Sequence, residues 1–352
     1  MLETKVGEVV ISGTSAIIKD VDGAMNGGTT ANGTLKLAEN AYLAVSGNIW
    51  SRSNTGIVLE QGATLDLQGK NLSIINNSSE NATFKATTNN GQEYSLAQTN
   101  YEIRNAMVVY NGTENATLSN KLTNATLVTN NAVAPADLDG SSASTVGTLT
   151  VNHEGNTLKG VQAYGGDVCL MNLRESTSLE LLEIAAGRTV SAYVGSNTET
   201  RSDVTVTGDA RLMGGAHLNA SLTLAEGSTL DMVDVSSEAV VLTGALTFSG
   251  QVTLGNNLQM IMAEMKNWGD KLVLFTGLSD VILPTVTAGD LDSALVLASS
   301  VFSNVQNENL YVNYQEIGDV GSLMVINIPE PASATLSLTA LMLLCARRRR
   351  KN

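Results

Sequence analysis

Two stretches of the chain share one pattern of apolar and polar positions. Leu59 to Gly69 reads LEQGATLDLQG and Leu224 to Asp234 reads LAEGSTLDMVD, so both follow L-x-x-G-[AS]-T-L-D-[LM]. A related cadence runs through GTLKLAENAYLAVSG from Gly33, DVTVTGDARLMGGAHLNASLTL from Asp203 and VVLTGALTFSGQVTLG from Val240. Apolar and polar residues alternate over short spans, which predicts half-buried strands. Gly, Asn or Asp then interrupts, because these residues tolerate the backbone angles of a tight turn. Strands this short bury little alone. Stacked as coils, they bury a continuous row of Leu, Val and Ala and leave Ser, Thr and Asn outside. The expected fold is mainly β, an irregular right-handed β-solenoid or β-helix with a C-terminal β cap and a short C-terminal transmembrane helix. A β-sandwich is the alternative, since turn signals every ten residues or so suit both.

Three regions differ in texture. Residues 1–255 carry the strand grammar and form the solenoid region. Within them, 71–150 are rich in Asn and Thr and predict longer loops or wider rungs, with Asn side chains stacking in ladders. The triplets starting at Asn81, Asn115 and Asn124 match a glycosylation acceptor, but this composition produces such triplets by chance. Residues 256–328 predict a capping unit. Its helix spans Leu258 to Trp268, with Leu258, Ile261, Met262 and Met265 on one face and Gly269 as terminator. The strands expected after it are KLVLFTGL, ALVLASSVF, NLYVNYQEI and SLMVINI. An open end of stacked strands needs such a cover.

Residues 329–352 are the third region, PEPASATLSLTALMLLCARRRRKN. The apolar run from Ala332 to Ala346 would span about 22 Å as a helix, short against a bilayer core of ~30 Å. Arg347, Arg348, Arg349, Arg350 and Lys351 can snorkel to the headgroups and hold that end on the cytoplasmic side. Pro329 and Pro331 keep the preceding chain extended. Pro329-Glu330-Pro331, the apolar run and the basic cluster together resemble the PEP-CTERM sorting signal. The resemblance implies processing by an exosortase-type membrane protease and delivery to the cell surface or extracellular matrix, with an inner-membrane tether beforehand. The strand grammar loosely resembles autotransporter-associated β-strand repeats. The opening MLETKVGEVVISGTSAIIKD has no apolar leader core and alternates like a strand, so the chain reads as the C-terminal part of a longer protein.

Charge narrows the function. Without 330–352 the chain has 15 basic and 33 acidic residues, a net charge of −18. That argues against nucleic acid, which needs a basic surface. Extracellular polysaccharide is the candidate ligand. Cys169 is the only cysteine outside the tail, where Cys345 sits, so no disulfide can form within the body.

Catalytic signals are weak. His153 and His217 are the only histidines, and neither has metal-ligand spacing. No G-x-S-x-G elbow occurs. Asp66, Asp231, Asp234, Asp20 and Asp22 are the acidic candidates. Asp66 and Asp231 hold the same place in the two matching stretches, which points to a structural turn or an outward face. The Asp20–Gly28 loop lacks the acidic twelfth position of a calcium loop, since Ala31 stands there. The expectation is a noncatalytic surface or matrix protein, an adhesin or spacer, with no cofactor or metal. The alternative is an exported glycan-active lyase or hydrolase, to be recognised by a groove of Asp, Glu, Arg and aromatic residues.

Overall fold

A computed structural model describes residues 146–284, 295–317 and 320–328 without a break, and shorter stretches between residues 7 and 129. The fold is mainly β and its sheets are predominantly parallel. Among the described residues the strands form sheets of 16, 11 and 3 members. From Leu149–Asn152 to Ser221–Leu224 successive strands alternate between the two larger sheets. Ser176–Ile184 lies in the first, Thr189–Val194 in the second, Asp203–Met213 in the first again and His217–Asn219 in the second.

Register explains the alternating pattern. Val108 aligns with Leu127, and the column continues through Val161, Leu182, Ala210, Leu230 and Leu254. All seven are buried. A matching column in the second sheet runs Leu149, Val168, Val190, Leu218, Leu242. These rows join one core that extends to the C-terminal strands. A one-residue slip would turn a whole row outward, so the register is held by burial.

The interruptions form a recurrent turn. The amides of Arg188, Ala216 and Ser228 donate to the carbonyls of Ala185, Met213 and Ala225 at 3.2, 3.0 and 3.1 Å. The third residue of each turn is Gly187, Gly215 or Gly227, at φ of 65°, 75° and 78°. A four-residue turn with positive φ at its third position selects glycine there. The two matching stretches place Leu65 and Leu230 inward in strands Thr64–Asp66 and Thr229–Val233 of the same sheet.

Of the two forms expected for the Asn- and Thr-rich region, strands run through it, among them Asn71–Ile75, Met107–Tyr110 and the nine-residue Lys121–Thr129. Alternation persists there beneath the Asn content. Other expectations are corrected. The helix is Asn256–Glu264, shifted two residues towards the N-terminus at its start. It stops four residues before the expected end, where the Met265 amide bonds back to the Met262 carbonyl. Leu258 and Met262 are buried on it as the spacing predicts. ALVLASSVF is split into a two-residue strand, Val296–Leu297, and a short helix, Ala298–Val301. The other three expected strands form, as Lys271–Leu278, Leu310–Ile317 and Val320–Asn327.

The pairing changes direction at one strand. Lys271–Leu278 pairs parallel with Val240–Leu242 on one edge and antiparallel with Val320–Asn327 on the other. Parallel stacking also continues beyond residue 255, to Asp280–Ile282 against Ala245–Phe248. Among the described residues no helix is long and apolar enough to cross a membrane. The 332–346 run lies outside the described residues.

Candidate functional site

The most concentrated polar chemistry sits on one row of the 16-stranded sheet. Gln162 aligns with Glu183, Glu183 with Arg211, and Arg211 with Asp231. Each is the residue after a core position, so alternation sets all four on the opposite face. Val109 and Val128 continue that row, and with Tyr164, Ala185 and Met213, each two residues along from Gln162, Glu183 and Arg211, they make a small second apolar cluster.

Tyr164 links the two. It is fully buried, and Glu183 is only 8% exposed. The Tyr164 hydroxyl donates to Glu183 Oε2. Gln162 Nε2 donates to Tyr164 Oη and to Glu183 Oε2, both at 2.6 Å. Burial pushes the Tyr164 phenol well above its usual range. The hydrogen bond to Glu183 and that residue's charge push it further, while Arg211 and Gln162 oppose. The phenol is therefore a locked neutral donor, and the arrangement holds a carboxylate below the surface.

Asp231 ends the row in a different role. Gly255, the residue before the helix, has no side chain to cap it. Asp231 Oδ1 accepts from the backbone amides of Asn257 and Leu258 at 3.1 and 3.3 Å, and Oδ2 from Asn257 Nδ2 at 2.7 Å. A carboxylate at a helix N-terminus satisfies orphan amides and opposes the helix dipole. The cap thus comes from strand Thr229–Val233, which pairs with Thr253–Leu254 just before the helix. Asp66 has a parallel placement, since its register partner is Arg104 as that of Asp231 is Arg211.

The other predicted residues are scattered. Pro329, Glu330, Pro331, Arg347 to Arg350 and Lys351 lie outside the described residues, as do Asp20 and Asp22. Asp234 has φ 51° and opens a turn whose carbonyl accepts from the Ser237 amide at 3.3 Å and hydroxyl at 2.8 Å. His153 follows strand Leu149–Asn152 and His217 opens His217–Asn219, with Val168–Leu173 and Thr189–Val194 between them in the sheet. The histidines therefore do not meet. Burial lowers the His153 pKa, partly offset by its bond to the Glu154 backbone. Cys169 is a free, half-buried thiol, pushed up by burial.

Two clefts among the described residues bear on this. One is lined by residues including Gln259, Met262, Asn304 and Gln306, the other by residues including Asn156, Arg174, Ser176 and Ser178. No carboxylate lines either. Glu183 and Tyr164 are the acid–aromatic pair a glycan enzyme would want, but both are enclosed and bonded to each other. No cluster of three His, Cys, Asp or Glu suited to a metal occurs among the described residues.

The side chains that sequence reasoning missed are Gln162, Tyr164, Glu183 and Arg211. Only the step of two from Gln162 to Tyr164 was visible along the chain. Their convergence depends on register across turns of unequal length.

No family model, curated protein or solved structure matches this chain.

Proposed function

We propose that the protein is a noncatalytic, exported surface or matrix component whose parallel coils form an irregular right-handed β-solenoid acting as a rigid spacer or adhesin. The observation that carries this reading is how the outward polar side chains are used. They bond from coil to coil. Asn156 Oδ1 accepts from the Leu122 amide, Asp167 Oδ1 from the Thr189 amide and Asn115 Oδ1 from the Thr148 amide. Asn124 Nδ2 donates to Asn105 Oδ1 at 2.8 Å, the side-chain ladder that an Asn-rich stack favours. Glu183 and Asp231 are engaged in the same way. Polar chemistry serves the stack, as in a load-carrying rod that exposes strand edges only at its ends. Alternation of the strands from Leu149 to Leu224 between two sheets, with parallel pairing in each over that span, supports the solenoid reading, since β-sandwich sheets are antiparallel.

The tail supplies the address. In this reading Pro329-Glu330-Pro331 is the sorting motif, 332–346 crosses the inner membrane, and Arg347 to Lys351 hold the cytoplasmic side. An exosortase-type protease then releases the body to the surface, where polysaccharide is its ligand.

The test is intact mass and location in the native host. Loss of the segment after Pro329, with the body at the surface or in the medium, is the expected result. Replacing Pro329, Glu330 and Pro331 with Ala should leave a full-length, membrane-bound chain. A wild-type chain ending at Asn352 in the cytosol would refute the address. Release of sugar products from polysaccharide by the purified protein would refute the noncatalytic role.

A further inference from the structure

The exposed apolar side chains of the C-terminal unit include Trp268, 79% exposed, and Met260, 68% exposed. Trp268 lies in the turn Lys266-Asn267-Trp268-Gly269-Asp270-Lys271, between the helix and strand Lys271–Leu278. Lys266 and Lys271 are exposed. They are the only basic residues between Arg211 and the tail, and they flank the tryptophan on both sides. Glu264 and Asp270 share the segment, and Asp270 is held in the turn, its Oδ2 accepting from the Asn267 amide at 2.7 Å.

This turn sits beside the last described residues. The Gly269 amide donates to the Asn327 carbonyl at 2.9 Å, and the Asn327 amide to the Asp270 carbonyl at 2.9 Å. Asn327 Nδ2 donates to the Met265 carbonyl at 2.7 Å. Lys271 aligns with Ile326. Pro329 follows two residues after Asn327. Three residues, Pro329 to Pro331, lie between Ile328, the last described residue, and the apolar run. Extended, they reach about 10 Å.

We propose that the Lys266–Lys271 turn is a membrane-seating surface, with the Trp268 ring at the headgroup level of a phospholipid bilayer and Lys266 and Lys271 on the phosphates. The inference rests on the tail being membrane-embedded. Its physical basis is the tether: a span joined to the fold by about 10 Å of chain presses this end of the body against lipid. Tryptophan is the side chain enriched at that depth, and flanking lysines snorkel there. Asp231 caps the neighbouring helix, so Met260 is presented on a fixed element beside the same end.

The experiment uses the full chain with W50F, which leaves Trp268 as the single tryptophan, reconstituted into phosphatidylethanolamine–phosphatidylglycerol vesicles. Flotation with the vesicles reads the tail. Quenching by bromolipids reads the turn. The expected result is flotation, a shift of emission to shorter wavelength and roughly twofold quenching by shallow bromolipid, reduced in K266Q/K271Q. Flotation with solvent-like emission and no bromolipid quenching overturns the proposal and spares the tail. Burial of Trp268 only on adding a membrane protein also overturns it, in favour of a protein partner. Failure to float overturns both. Should W50F misfold, wild-type chain labelled with fluorotryptophan, assigned with W268F, gives the same readout through a spin-labelled lipid.

Discussion

Asn257 gives both its backbone and its side-chain N–H to the carboxylate of Asp231, a residue on strand Thr229–Val233. The close approach depends on Gly255, where a Cβ would stand 2.3 Å from Asp231 Cβ. One acidic residue thereby couples the body to the C-terminal unit.

Asp231→Ala should cost about 1–2 kcal/mol, the range of a lost helix cap. Asp231→Asn should cost less, because the amide oxygen still accepts. Gly255→Ala should cost at least as much as Asp231→Ala, since the new methyl displaces the carboxylate. Urea unfolding followed by circular dichroism checks the order. Equal stability for all three and the wild type would refute the capping role.

Tyr164→Phe leaves the Glu183 carboxylate with one fewer donor in a buried site. A loss of about 1–3 kcal/mol at neutral pH follows. The pH sign is also defined. The folded phenol sits above its unfolded value near 10. Its contribution is fully present below that pH and is lost as pH rises beyond it, because only the unfolded chain releases the proton. Stability of the wild type should therefore fall more steeply above about pH 10 than that of Tyr164→Phe. Denaturant midpoints from pH 8 to 11 measure the difference.

Asn124 is held at φ 54°, and its side chain reaches Asn105, itself at φ 50°. Asn124→Gly keeps the backbone freedom and loses the hydrogen bond. Asn124→Ala loses both. The alanine variant should be the less stable by roughly 1 kcal/mol, read as a difference in thermal or urea midpoint. A glycine variant as unstable as the alanine one would assign the whole effect to the ladder bond.

Cys169 is half-buried and its thiol is pushed up by burial, with a bond to Thr150 opposing. Thiolate is the reactive form. In a Cys345→Ala chain, labelling of native Cys169 should be about tenfold slower than in the unfolded chain, and its pH profile should lie to the alkaline side. Rapid labelling of native Cys169 at pH 7 would contradict the burial.

The strand positions and the inward rows were legible in the order of residues. L-x-x-G-[AS]-T-L-D carries its own turn, because glycine takes the positive φ at Gly227 and alternation then turns Leu230 inward. The helix face of Leu258 and Met262 was legible for the same reason, since periodicity is a property of consecutive residues. Its end was not. Met265 closes the helix early, and Gly269 at φ 83° serves the next turn instead. The strand expected over ALVLASSVF fails at Ala298, which enters a short helix in the core.

Local patterning thus accounts for which residues are strands and which side of each is apolar. It does not say which strand lies beside which, because connections of unequal length set that spacing. Glu183 meets Tyr164 and aligns with Arg211, and Asp231 reaches Asn257, only once parallel register brings distant segments to neighbouring strands. Burial of whole aliphatic columns selects that register, and the polar row follows from it one residue along.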